Sequence, residues 1–201
     1  MTSRTEQLPA GTLLEAVSTR GELSAAFRAA VVLFVTVLTV AAAQVSIPLP
    51  FTPVPFTLQP MIVLVGGAAL GARLGMASQI LYLVLGIAGL GVFAASPVLP
   101  QGFARLLGPT GGYLMTYPLA AFVTGYLAER GFDRHYLPSV IAMGAGLAII
   151  FAGGVGWMAF GAPHVGLSTA LRTGLVPFIP ADVFKIFAAA TVLPLAWRFL
   201  R

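Results

Sequence analysis

Cysteine is absent from the 201 residues, which excludes disulfides, thiolate catalysis and thiolate metal sites. Charge is nearly as scarce. Asp, Glu, Lys and Arg make up 8% of the chain, against about 25% in a typical soluble domain. Only two histidines occur, His135 and His164, both outside the apolar runs, so neither an imidazole metal site nor a cofactor site is expected. No Gly-rich phosphate loop followed by Lys-Ser/Thr is present, so any ATP-driven step requires another polypeptide. His164 and Ser168 are four residues apart, but they lack a matching acid and a Gly-x-Ser-x-Gly context. Paired carboxylates for acid–base work are missing too. The chain reads as a protein without enzymatic activity.

Apolar residues fill the space that charge leaves. The chain is 58% hydrophobic with a mean hydropathy of +0.95, more than a soluble core could hide, so the expected solvent is a lipid bilayer. A net charge of +5 might suggest nucleic acid as a partner, but the basic residues are scattered singly between apolar segments, as membrane topology requires. Six hydrophobic segments can be drawn, at residues 27–47, 56–72, 74–90, 112–128, 137–160 and 180–200. Each approaches the roughly 17–25 residues of a transmembrane helix. The fold class expected is an all-α membrane protein, a six-transmembrane-helix bundle.

With the N-terminus inside, Arg4, Arg20, Arg28, Arg73, Arg130, Arg134, Arg198 and Arg201 fall on the inner side and only Arg105 and Arg172 on the outer, with Lys185 near an outer helix end. Eight against two fixes the orientation, since basic residues stay on the cytoplasmic side. Both termini are then cytoplasmic, and the protein is a multi-pass component of the cytoplasmic membrane. Residues 1–24 are too long and too acidic for a signal-peptide n-region. They are expected to form a cytoplasmic tail ahead of a membrane domain at 25–201.

The outer connections are unusual. Pro48, Pro50, Pro53 and Pro55 fall within eight residues. Proline fixes φ and lacks an N–H, so a stiff, extended, non-helical strap is expected there. Its apolar side chains suit the covering of a cavity. Longer outer loops at 91–111 and 161–179 carry Arg105, His164 and Arg172. Gly67, Gly71 and Gly75, together with alanines at 25–26, 29–30 and 41–43, provide small-residue spacing that lets helices approach closely. Those contacts fall within the bundle or against another membrane subunit. Gln79 is expected to bridge helices.

Asp182 and Lys185 are the charged residues set inside an apolar helical run. Charge at the bilayer centre costs roughly 2.5–3.5 kcal/mol on insertion scales, so an ionisable residue there marks a functional site by default. Their three-residue spacing puts both on one helix face. Two readings are open. In one, Asp182 favours the helix N-terminus beside Pro180 and Lys185 pairs with it or reaches toward the headgroups. In the other, the pair holds a polar ligand. Arg105 suits a carboxylate. Gln44 and Gln59, which flank the strap, and Tyr113, which opens the fourth helix, are further candidates to line a cavity.

Four stretches together resemble the BioY family: Pro53-Val54-Pro55-Phe56-Thr57-Leu58-Gln59, Tyr82-Leu83-x-Leu85-Gly86-x-x-Gly89-Leu90-x-Val92-Phe93, Gly108-Pro109-Thr110-Gly111-Gly112-Tyr113, and Pro177-Phe178-x-Pro180-x-Asp182-x-x-Lys185. That family supplies the biotin-binding S component of energy-coupling factor (ECF) vitamin transporters. The resemblance implies a six-helix bundle that captures biotin from outside. Its pocket would be formed by helices four to six and the outer loops, with the proline strap as lid. It also implies as partners a transmembrane coupling subunit and cytoplasmic ATPase subunits. The family's Gly-Asp-x-x-Lys motif falls on Ala181, Asp182 and Lys185, with alanine replacing glycine. Its Gly-Leu-Pro-Val-Phe reads Gly89-Leu90-Gly91-Val92-Phe93 here. Neither departure removes a donor or acceptor. Biotin suits the residues: its carboxylate needs a cation, for which Arg105 or Lys185 could serve, and the division favoured puts Asp182 on its ureido ring and Arg105 on its carboxylate. The alternatives are an S component for another vitamin and a membrane scaffold without ligand.

Overall fold

A computed structural model describes residues 11–17 and 24–199. Its long helices are α2 (Ala25–Gln44), α3 (Gln59–Leu70), α4 (Ala72–Ile87), α6 (Gly111–Glu129), α7 (Tyr136–Phe160) and α9 (Ile179–Phe199). Short ones, α1 (Leu13–Val17), α5 (Ala104–Leu107) and α8 (Leu167–Gly174), lie between or before them. The strands β1 (Ser46–Ile47) and β2 (Phe56–Thr57) pair antiparallel, Ser46 opposite Thr57 and Ile47 opposite Phe56. Each of the six apolar segments contains one long helix, with ends displaced by a few residues. Among the described residues α2, α7 and α9 are long and apolar enough to cross a membrane.

Helices α3 and α4 are shorter than their segments suggested, with 12 and 16 residues. Phe56 and Thr57 are drawn into the ladder and Pro60 sits in the first turn of α3, which trims its start. At its other end Gly71, at φ +85°, is the single residue between α3 and α4. A left-handed backbone of that kind favours glycine. The first backbone N–H of α4, from Ala72, donates to Glu129 Oε1 at 2.8 Å. The helix start is thus capped by a carboxylate from the end of α6.

Helix α6 is the hub, packed against α3, α4 and α7. Small residues set the distance. A Cβ on Gly125 would come within 2.5 Å of Ala72 N and Gly71 C, and one on Gly67 within 2.5 Å of Ala121 O. Polar residues join α2 to α4. Thr36 Oγ1 donates to Ser78 O at 2.9 Å, and Gln79 Nε2 donates to Thr39 Oγ1 at 3.2 Å. Gln79 therefore bridges helices, as its sequence position suggested. The Gly67 and Gly75 contacts fall inside the bundle, whereas Ala25, Ala26, Ala29 and Ala30 of α2 are exposed. Leu33, Phe34 and Val37 of α2 and Phe184, Phe187 and Val192 of α9 are also exposed. Hydrocarbon tolerates such a surface and water does not. The chain is an integral membrane protein.

The loops depart most from expectation. The strap is not a simple extended span, because its ends pair as β1 and β2 and the chain must reverse between them. Inside it Thr52 Oγ1 donates to Thr173 O at 2.7 Å, which fastens it to α8. The segments read as loops at 91–111 and 161–179 contain α5 and α8. Within the N-terminal tail, α1 docks Leu13 and Leu14 against the bundle end opposite the strap. The rest of the tail lies largely outside the described residues. At that same end Trp197 Nε1 donates to Asp133 Oδ2 at 2.6 Å. Burial raises the Asp133 carboxyl above its ordinary range, and the Trp197 bond partly offsets this.

Gly125→Ala should lower stability by about 1–3 kcal/mol, the usual cost of overpacking a tight contact. Gly156, with nothing within 4 Å of its missing Cβ, should tolerate alanine without loss. Thermal unfolding of both variants in detergent separates the two outcomes.

Candidate functional site

The second outer loop is built around one aromatic. Gly86 leaves room for the Phe93 ring, which lies within 2.6 Å of where a Cβ would stand, and Phe93 meets Tyr82 edge-to-face at 5.6 Å. Anchoring Phe93 brings the neighbouring backbone over the bundle. There Arg105 of α5, 1% exposed, donates from Nη2 to Ala94 O at 2.7 Å and from Nη1 to Pro100 O at 3.3 Å. The loop turns at Gly89 and Gly102, both at positive φ. Gly91 is exposed with open space beside it.

A cavity lies below the strap. Its walls are Val54, Pro55 and Thr57 of the strap, Gln59 and Pro60 of α3, Ala94, Arg105 and Thr110 of the second loop, Tyr113, Leu114 and Tyr117 of α6, Leu147, Ile150 and Phe151 of α7, and Phe178, Asp182 and Lys185 at the start of α9. Five of the six candidate side chains, Gln59, Arg105, Tyr113, Asp182 and Lys185, meet around this one space. Gln44 does not. It is exposed at the last turn of α2, where its amide reaches only Val40 O and Val92 O. Proximity to the strap in sequence did not place its side chain on the cavity face.

The pair at the start of α9 is buried, Asp182 4% and Lys185 9% exposed. Lys185 Nζ donates to Asp182 Oδ1 at 2.7 Å and to Thr57 O at 2.7 Å, and it sits 3.6 Å from the Phe56 ring centroid. The ammonium therefore ties α9 to the strap as well as to its acid. Ala181 is half-buried beside it, and the methyl is accommodated. Gln59 Nε2 donates to Tyr82 Oη at 2.7 Å, and Tyr82 Oη donates to Val92 O at 3.2 Å. This chain of bonds fixes α3 to the second loop. Tyr113 Oη donates to Gly174 O at 2.6 Å, so its ring lines the cavity while its hydroxyl holds the end of α8.

One carboxylate faces two cations in the wall, Asp182 against Lys185 and Arg105. In a low-dielectric cavity an uncompensated cation is costly, so the space is suited to a ligand that brings one negative charge. Between the polar groups the walls are aliphatic and aromatic, and they accept an apolar body. Tyr117 and Thr110 were not singled out from sequence. A tyrosine inside an apolar helix and a threonine before a Gly-Gly pair carry no spacing signal of their own.

The BioY family model matches residues 15–201. A probable biotin transporter BioY from Pyrococcus horikoshii is 41% identical over 168 residues, covering 84% of this chain and 92% of that protein. The biotin transporter BioY of Thermotoga maritima is 41% identical over 158 residues, 78% of this chain and 88% of its own. Among solved structures, the S-component for biotin from an ECF-type ABC transporter matches with a TM-score of 0.76 and 25% identity, over 88% of this chain and 95% of that one. With the glycine-spaced bundle, the proline strap and the Asp182–Lys185 pair in place, the chain belongs to the BioY family.

Proposed function

We propose that this protein binds biotin at the outer side of the cytoplasmic membrane and serves as the substrate-binding component for its uptake. The observation that carries this is a cavity with separated polar groups, apolar walls and one cation in excess. Biotin has the matching layout. Its ureido ring presents two N–H donors and a carbonyl, its thiophane ring and alkyl chain are apolar, and its valerate ends in a carboxylate. Asp182 accepts from the ureido N–H groups through the oxygen that Lys185 does not occupy. Lys185 has three N–H donors and directs the remaining one toward the ureido carbonyl. Arg105 faces the carboxylate. Gln59 and Tyr113 shape the wall, since their own polar groups are engaged by the protein. The names of the relatives and of the matched structure support biotin over another vitamin.

In this reading α2, α3, α4, α6, α7 and α9 cross the membrane, with both termini cytoplasmic. The bias of basic residues supports that orientation. The strap and cavity then lie at the outer surface. Transport is completed with a transmembrane coupling subunit and cytoplasmic ATPase subunits, since this chain has no phosphate loop of its own.

Detergent-purified protein should retain radiolabelled biotin and not thiamine or riboflavin, and Asp182→Asn should weaken biotin binding roughly 10–100-fold, the scale of a lost hydrogen bond to a charged group. Retention of native affinity by Asp182→Asn would refute the ureido assignment. Lys185→Met, which strands a buried carboxylate, should cost about 3–5 kcal/mol of stability. The paired variant Asp182→Leu/Lys185→Met should recover most of that loss in thermal unfolding while still failing to bind biotin.

A further inference from the structure

Arg105 and Thr110, both residues of the cavity wall, each hold a buried polar atom, Nε and Oγ1, with no hydrogen-bond partner among the described residues. Arg105 cannot turn to find one. Its two terminal nitrogens are held by Ala94 O and Pro100 O, so the guanidinium plane is fixed and Nε keeps its heading. Thr110, 6% exposed, stands at the N-cap of α6. A threonine there ordinarily accepts from an N–H one turn on, yet Thr110 makes no such side-chain bond. The backbone leaves the two residues little freedom to separate. Gly111 lies so close to Leu106 O that a Cβ could not be accommodated, and α5 is folded tightly back on the start of α6.

Orphaned groups of this kind are unfavourable unless a ligand meets them. Arginine Nε can only donate and a hydroxyl readily donates, so the missing partner is an acceptor. The location adds a charge preference, because the N-terminus of a 19-residue helix favours an anion. We infer that Thr110 is a ligand-binding and selectivity residue which, with Arg105 Nε at the start of α6, forms a subsite for the carboxylate of the ligand. This inference deepens the biotin reading and rests on it. A carboxylate presents acceptors alone, whereas the corresponding amide lacks the charge and sets an NH2 donor against these two donors.

The test compares biotin with biotinamide, in which the valerate carboxylate is a neutral amide, on the full-length detergent-purified chain. Native protein should prefer biotin. Thr110→Val, which keeps the shape and removes the hydroxyl, should weaken biotin about tenfold and biotinamide far less, so that the preference narrows. Thr110→Ser restores the hydroxyl and should recover most of the loss. Equal weakening of both ligands by Thr110→Val, no weakening, or no preference in native protein would overturn the subsite. If the valine variant does not elute as a folded species, Thr110→Ala takes its place in the same comparison. Native protein that binds neither ligand would overturn the biotin reading itself, and the subsite with it.

Discussion

A lysine ammonium withdrawn from water has to be met on every side, and in this protein the way Lys185 is met organises the outer half of the molecule. Asp182 answers its charge, Thr57 O accepts its second N–H and the Phe56 ring lies against it. Asp182 and Lys185 come from the first turns of α9, whereas Phe56 and Thr57 close the strap. One cation thus holds together parts of the chain 128 residues apart. In a medium of low dielectric such a contact is strong because the alternative is a bare charge. The strap could not be placed over the cavity by its own sequence, since four prolines leave it few N–H groups with which to hydrogen-bond.

The deeper scaffold depends on the opposite chemistry. Around α6 the helices are set by absent side chains, Gly67 against Ala121 and Gly125 against the α3–α4 turn. Without a hydrophobic drive between helices in lipid, close approach of backbones supplies the packing. That rigidity matters for the site. Tyr113, Leu114 and Tyr117 project from the same helix, and they stay in position because α6 is locked on three sides by α3, α4 and α7.

Much of this was visible in the sequence. Apolar runs located the long helices, because the bilayer imposes length and composition directly. The pair Asp182 and Lys185 stood out for the same reason: charge is rare where it is expensive. What escaped was set by tertiary contact. The pairing of Ser46–Ile47 with Phe56–Thr57 needs the strap to reverse, and no periodicity in residues 48–55 announces it. The helices α5 and α8 occupy only 4 and 8 residues, too short for a pattern to emerge. Gln44 lies off the cavity, because adjacency to the strap says nothing of which way the last turn of α2 faces. Thr110 stands in the sequence only as one member of the Gly108–Tyr113 motif, and its unused hydroxyl appears only when its neighbours are known.

The bond from Thr52 Oγ1 to Thr173 O ties the fates of two covers. Gly174, the next residue, is held by Tyr113, and Phe178 a few positions on is part of the wall. The cover over the cavity is therefore assembled from distant stretches of chain joined by hydrogen bonds. Displacing the strap alone would break its bond to α8.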